Sequence, residues 1–68
     1  MATYKNPPKG CEVCQQPIAE QFIDGATKWG PWGDMCPACH RRFGFGLGLG
    51  KGQLYTKQRD GRYLKTQG

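Results

Sequence analysis

Apolar residues fall into short clusters along this chain, each bounded by glycine, proline or charge. Residues 1–10 contain Pro7, Pro8 and Gly10 and show no periodicity, so they predict an extended arm. Cys11-Glu12-Val13-Cys14 follows as a tight turn, a knuckle that presents two sulfurs to one point. The stretch Phe22-Ile23-Asp24-Gly25-Ala26-Thr27-Lys28-Trp29 sets Asp-Gly between apolar residues. That is a strong hairpin signal, because both turn positions tolerate positive φ. Gly30-Pro31 and Gly33 then predict a bend or an end in the second arm.

Cys36-Pro37-Ala38-Cys39-His40-Arg41-Arg42-Phe43 predicts a short helix. Pro37 suits the first helical position, where its missing N–H costs nothing, and Gly44 suits the residue just past the end. Arg41 and Arg42 complement the helix dipole in the last turn. A helix this short does not stand alone in water, so it needs an anchor. Beyond it, glycine alternates with Phe45, Leu47, Leu49 and Lys51 up to Gly52. Gln53-Leu54-Tyr55-Thr56-Lys57 and Arg62-Tyr63-Leu64-Lys65-Thr66 predict two strands around a turn at Arg59-Asp60-Gly61. The expected organisation is a small α+β, metal-stabilised chain. It comprises an N-terminal arm (1–10), a four-cysteine zinc-finger module (11–43), and a Gly-rich segment with a basic hairpin (44–68).

Composition explains why an anchor is needed. The chain has 68 residues with 37% hydrophobic content, and its mean hydropathy is −0.73. So small a domain rarely stabilises itself by burial alone and recruits disulfides, a metal or a partner. The N-terminus is polar from Thr3 onward and no apolar run approaches a membrane span. The expectation is a cytoplasmic protein with reduced thiols, in which paired cysteines bind metal. Charge is uneven: residues 1–39 carry a net −1, whereas residues 40–68 carry seven cations against Asp60, a net +6. Four thiolates and one zinc ion lower the total only from +5 to +3. The basic half points to an anionic partner.

Cys11, Cys14, Cys36 and Cys39 form two Cys-x-x-Cys pairs separated by 21 residues, room for one hairpin. Zinc takes four soft ligands in a tetrahedron, and each pair can supply one edge of it. The second pair opens a helix, where free N–H groups favour thiolate over thiol. One structural Zn2+ is the expected cofactor. The alternatives are free or disulfide-bonded cysteines, and iron, since similar knuckles occur in rubredoxins. Cys36-Pro37-Ala38-Cys39-His40 also matches a c-type haem attachment pattern, but haem would leave the first pair without a purpose. His40 is expected to be an exposed helix residue adding mild positive charge, since four cysteines already close the site.

The order knuckle, hairpin, then Met35-Cys36-Pro37-Ala38-Cys39 opening a helix resembles the treble-clef zinc fingers, with the GATA type as the nearest variant. The gap between the pairs is longer than the GATA-type spacing. The chain also looks like small zinc-finger-like proteins encoded in bacteriophage genomes. The residues that carry this are Gly30-Pro31-Trp32, Met35-Cys36, Cys39, Gly44, Gly46-Leu47-Gly48, Gly50, Gly52-Gln53 and Tyr55. With the first knuckle they span residues 11–55. That resemblance implies a viral origin and action in a host cytoplasm, and little about activity.

The glycine stretch does not satisfy Walker A: with Gly50-Lys51 as the Gly-Lys pair, Phe45 occupies the first glycine position and Gly52 the hydroxyl position. Two readings remain. Either the glycines let the backbone pack near Trp29 or Trp32 while Phe45, Leu47 and Leu49 fill gaps, or exposed N–H groups and Lys51 grip a phosphate or a partner strand. Arg41, Arg42, Lys51, Lys57, Arg59, Arg62 and Lys65, interleaved with Tyr55 and Tyr63, match the usual chemistry of nucleic-acid surfaces. Packing of both tyrosines on the zinc module is the competing reading. A nucleic-acid partner, DNA before RNA, is the first expectation. A protein partner, for which the chain would be an adaptor or an inhibitor of a host protein, is the second. It rests on Trp29, Trp32, Phe43 and Phe45, more aromatic surface than so small a core can hide. No catalysis is expected, because four sulfurs close the metal site, serine is absent and the acidic residues are scattered.

Overall fold

A computed structural model describes residues 2–68. The elements in chain order are β1 (Tyr4–Lys5), β2 (Gln21–Ala26), β3 (Trp32–Met35), α1 (Pro37–Phe43), β4 (Gly52–Lys57) and β5 (Tyr63–Gln67). All five strands join one antiparallel sheet in the order β1-β5-β4-β2-β3. Residues on both sides of position 44 therefore share a sheet, with β2 and β4 as its central pair. Within the N-terminal arm, whose Met1 lies outside the described residues, Tyr4 and Lys5 form β1 and pair with Leu64 and Tyr63.

The sheet curls, and Lys5 shows how far. From the β1 edge its Nζ reaches Asp24 on β2 and Asp34 on β3, each at 2.9 Å. The concave side holds Phe22, Tyr55 and Tyr63, all buried. Phe22 stacks on Tyr55 at a centroid distance of 5.1 Å and meets Tyr63 at 5.3 Å and 58°. The Tyr63 hydroxyl donates to the Ala19 carbonyl at 2.6 Å, which satisfies its buried polar tip. A second cluster comprises Cys11, Met35 and Cys39, with Ile18 touching both. The core is thus two small patches, one aromatic and one built around sulfur.

The first hairpin does not turn at Asp24-Gly25. That pair lies inside β2, with Asp24 opposite Asp34 and Gln53, and Gly25 opposite Gly33 and Gly52. The turn falls at residues 27–31. There Gly30, at φ 107°, donates to the Thr27 carbonyl at 2.9 Å, and the Thr27 hydroxyl donates to the Pro31 carbonyl at 2.7 Å. A local turn preference is worth little against pairing on both edges of a central strand, and Lys5 holds the Asp24 carboxylate to the sheet. Gly33, read as an interruption, is a β3 residue.

Helix α1 forms as expected with Pro37 in its first turn and Arg41 and Arg42 in its last. Gly44 follows it for a different reason. Its φ is −100°, which any residue adopts, but a Cβ there would stand 2.5 Å from Cδ2 of His40. Gly44 makes room for a side chain rather than supplying a left-handed cap.

Candidate metal centre

The knuckle is held by its own backbone. The Gln15 N–H donates to the Cys11 carbonyl and the Cys11 N–H to the Gln16 carbonyl, both at 2.8 Å, and Gln15 takes a positive φ of 65°. This turn aims the Val13 and Cys14 N–H groups at Cys11 Sγ, at 3.4 and 3.5 Å. The second pair sits at the start of α1. Cys36 is the N-cap residue in extended conformation, and its carbonyl accepts from the His40 N–H at 3.0 Å. Glu12 joins the two halves: its N–H donates to the Asp34 carbonyl at 3.0 Å, and its Oε1 accepts from the Asp34 N–H at 2.6 Å. Asp34 is two residues before Cys36, so the clamp sets one cysteine pair against the other. Sequence reasoning gave Glu12 no role; the only available signal was an acidic residue inside the first pair.

The four Sγ atoms all lie within 4.8 Å of one another. A tetrahedral zinc site with Zn–S near 2.3 Å requires sulfurs about 3.8 Å apart. Cys14 and Cys36 stand at 3.9 Å, so the donor set fits such an ion. Cys11 and Cys39 are buried, while Cys14 is exposed and Cys36 half-buried, so the centre has one dry side and one open side. The thiols differ in acidity. Burial resists ionisation of Cys11, yet the N–H groups of Cys14, Cys36 and Val13, with the Cys39 thiol, hold it down to about 6. Burial, followed by hydrogen bonding to Cys36, Cys11 and Cys14, pushes the Cys39 thiol up. Four sulfurs packed this closely cannot all ionise without a cation among them, which is the chemistry of a metal site.

His40 is not an exposed helix residue. It is 8% exposed, and its Nε2 lies 2.8 Å from the Gly46 carbonyl. A carbonyl only accepts, so Nε2 carries the proton. The glycine segment is organised around this ring rather than around the tryptophans: a Cβ at Gly52 would lie 3.2 Å from Nε2, in addition to the conflict at Gly44. The expected burial of the interleaved apolar residues also fails in part, since Phe45 is 55% and Leu49 96% exposed.

Arg41, Arg42, Lys51, Lys57, Arg59 and Arg62 are exposed and Lys65 is half-buried. They do not gather in one place. Lys51 precedes β4 and Lys57 is its last residue, and a rise of roughly 3.3 Å per residue separates them by about 20 Å. Arg41, Arg42 and Lys51 belong to the helix and loop end of the sheet; Lys57, Arg59 and Arg62 belong to the β4–β5 turn end. Tyr55 and Tyr63 are 5% and 6% exposed in the aromatic core, so their rings are not available to stack on a ligand. The exposed aromatics are Trp29, Trp32, Phe45 and Tyr4.

No protein-family model, curated protein or solved structure matches this chain. Among the described residues no helix is long and apolar enough to cross a membrane.

Proposed function

We propose that this chain is a non-enzymatic module of the treble-clef type, built on one structural zinc ion, that binds nucleic acid, DNA in preference to RNA, through exposed basic residues. The treble-clef reading is supported by the order of parts: a knuckle carrying Cys11 and Cys14, the β2–β3 hairpin, and α1 opening on Cys36 and Cys39. A non-catalytic role is supported by four sulfur donors, which leave a tetrahedral ion no position for water. Four of the five acidic residues are also engaged elsewhere: Asp24 and Asp34 with Lys5, Asp60 with Arg62, and Glu12 with the Asp34 N–H. Zinc-loaded thiolates persist in a reducing compartment, which favours action in the cytoplasm.

The observation that carries the nucleic-acid reading is uncompensated charge. Of the seven cations in residues 40–68, only Arg62 has an ion-pair partner among the described residues. Binding to short duplex and single-stranded oligomers, followed by anisotropy across a salt series, tests it. A steep fall of affinity with salt is the expected result, and no binding at low salt refutes it. A protein adaptor is the second reading. It is favoured by a surface groove of about 420 Å3 lined in part by Trp29, Pro31 and Trp32. Persistence of a partner in a pull-down after nuclease treatment would support it.

A further inference from the structure

We infer that the loop end of the sheet is a stacking ledge for unpaired bases of single-stranded nucleic acid, with Trp29 as its platform and Lys28, Arg42 and Lys51 as its phosphate contacts. This rests on the nucleic-acid reading above and gives it a site and a strand type.

Backbone hydrogen bonds fix the ledge. The Lys28 N–H donates to the Phe43 carbonyl at 2.8 Å, Thr27 bridges Gly44, and the Ala26 N–H donates to the Lys51 carbonyl at 3.0 Å. Residues 26–28 are thereby held between the end of α1 and the start of β4, which brings three separate stretches of chain together. Trp29 leans on half-buried Phe43 at a centroid distance of 4.9 Å and 31°, and the Arg42 guanidinium lies 5.2 Å from the Phe43 centroid. Phe43 supports Trp29 from one side, while Trp29 as a whole stays 63% exposed. Beside it, Trp32 pairs with Ala26 across β2–β3 and shares the groove with Trp29.

Charge selects the ligand. Residues 25–33 and 40–53 carry four cations and no acidic residue. Glu12 alone brings an acid to the groove, and its Oε1 accepts from the Asp34 N–H. Aromatic surface inside a frame of four cations and one acid suits a polyanion with flat apolar faces, which is an unpaired strand: the phosphates meet Lys and Arg while the bases stack. A duplex hides those faces. Reading a major groove also calls for a free helix or ribbon, whereas the seven-residue α1 packs on β2 and β3.

The test uses the full zinc-loaded chain with three probes: an oligothymidine of roughly 15 nucleotides, the matching duplex, and inorganic polyphosphate as charge without bases. Oligothymidine is expected to bind more tightly than duplex and to quench tryptophan fluorescence, whereas polyphosphate binds without quenching. Trp29→Ala should weaken oligothymidine about five-fold or more and leave polyphosphate unchanged, and Trp29→Phe should retain most of the affinity. Lys57→Ala with Arg59→Ala, at the far end of the sheet, should have little effect. Tighter binding of duplex, indifference to Trp29→Ala, or loss confined to the Lys57 and Arg59 variant overturns the ledge and leaves the general nucleic-acid reading standing. Failure of both oligomers to bind at low salt removes both. Zinc content and circular dichroism establish that Trp29→Ala folds; if it does not, the ledge stands or falls on quenching of the wild-type chain by oligothymidine and not by polyphosphate.

Discussion

Replacing Gly44 with alanine separates two reasons for a glycine after a helix. If the glycine served a left-handed cap, alanine would strain the backbone; at φ −100° it does not. In the unfolded chain alanine has less freedom than glycine, which by itself would stabilise the variant by about 0.4–1 kcal/mol. Against this stands a Cβ at 2.5 Å from His40 Cδ2 and 2.8 Å from the His40 carbonyl oxygen. Overpacking of this kind costs about 1–3 kcal/mol, so the net loss should be about 1–2 kcal/mol. For a domain of this size that lowers Tm by about 4–16 °C. The assay is thermal unfolding by circular dichroism at a fixed excess of zinc. On a His40→Ala background the ring is gone and only the carbonyl contact remains, so the cost should fall by about half, a coupling measurable beyond the roughly 0.5 kcal/mol expected of independent sites. Equal costs on both backgrounds, or a Gly44→Ala chain as stable as the wild type, would refute the reasoning. Gly46→Ala is the contrast: nothing crowds its Cβ, but φ is +91°, so it should lose about 1 kcal/mol through backbone strain alone.

Other expectations concern the ion pair, the aromatic core and the metal. Partial burial opposes protonation of Lys5, but hydrogen bonds to Asp34 and Asp24 outweigh it and raise its pKa above the ordinary 10.5. Its contribution is therefore fully present below about pH 10.5 and is lost as pH rises through the folded value. The three side chains are 17–36% exposed, so solvent screening limits this to about 1 kcal/mol or less, and Lys5→Met should flatten the alkaline limb of a Tm–pH profile. Tyr63→Phe removes the bond to Ala19 and should cost about 1 kcal/mol in urea unfolding while leaving oligomer affinity unchanged. An affinity loss there would mean that Tyr63 reaches a ligand after all. Cys14→Ser, at an exposed vertex of the cluster, should lower zinc affinity by orders of magnitude in a chelator competition; an unchanged affinity would exclude Cys14 as a ligand.

The four cysteines were legible because their chemistry is local: two tight pairs at ligand spacing, one of them opening a helix with proline at its start. The β4–β5 hairpin and α1 were legible for the same reason, with turn residues and alternation close in sequence. The first turn was misplaced because Asp24-Gly25 carries a local preference overruled by pairing from β3 and β4, partners eight and more residues away. His40 was misread because nothing adjacent says that Gly44, Gly46 and Gly52 fold back around its ring. Tyr55 and Tyr63 looked like stacking residues among basic neighbours. Strand alternation instead turns both rings onto Phe22. Curling of the sheet, which decides which face is inside, has no local signature. The clamp from Glu12 to Asp34 spans 22 residues and was invisible for that reason.

An ion held by the four cysteines would bind the knuckle to the start of α1, where the Cys11, Met35 and Cys39 cluster supplies half of a small core. Elemental analysis of the purified chain, combined with far-ultraviolet circular dichroism during a chelator titration, addresses this most directly. One zinc per chain is expected, with structure lost in step with zinc removal and restored when zinc is returned, because metal binding supplies folding free energy on the order of 10 kcal/mol. A metal-free chain with the same spectrum and the same thermal transition would contradict it.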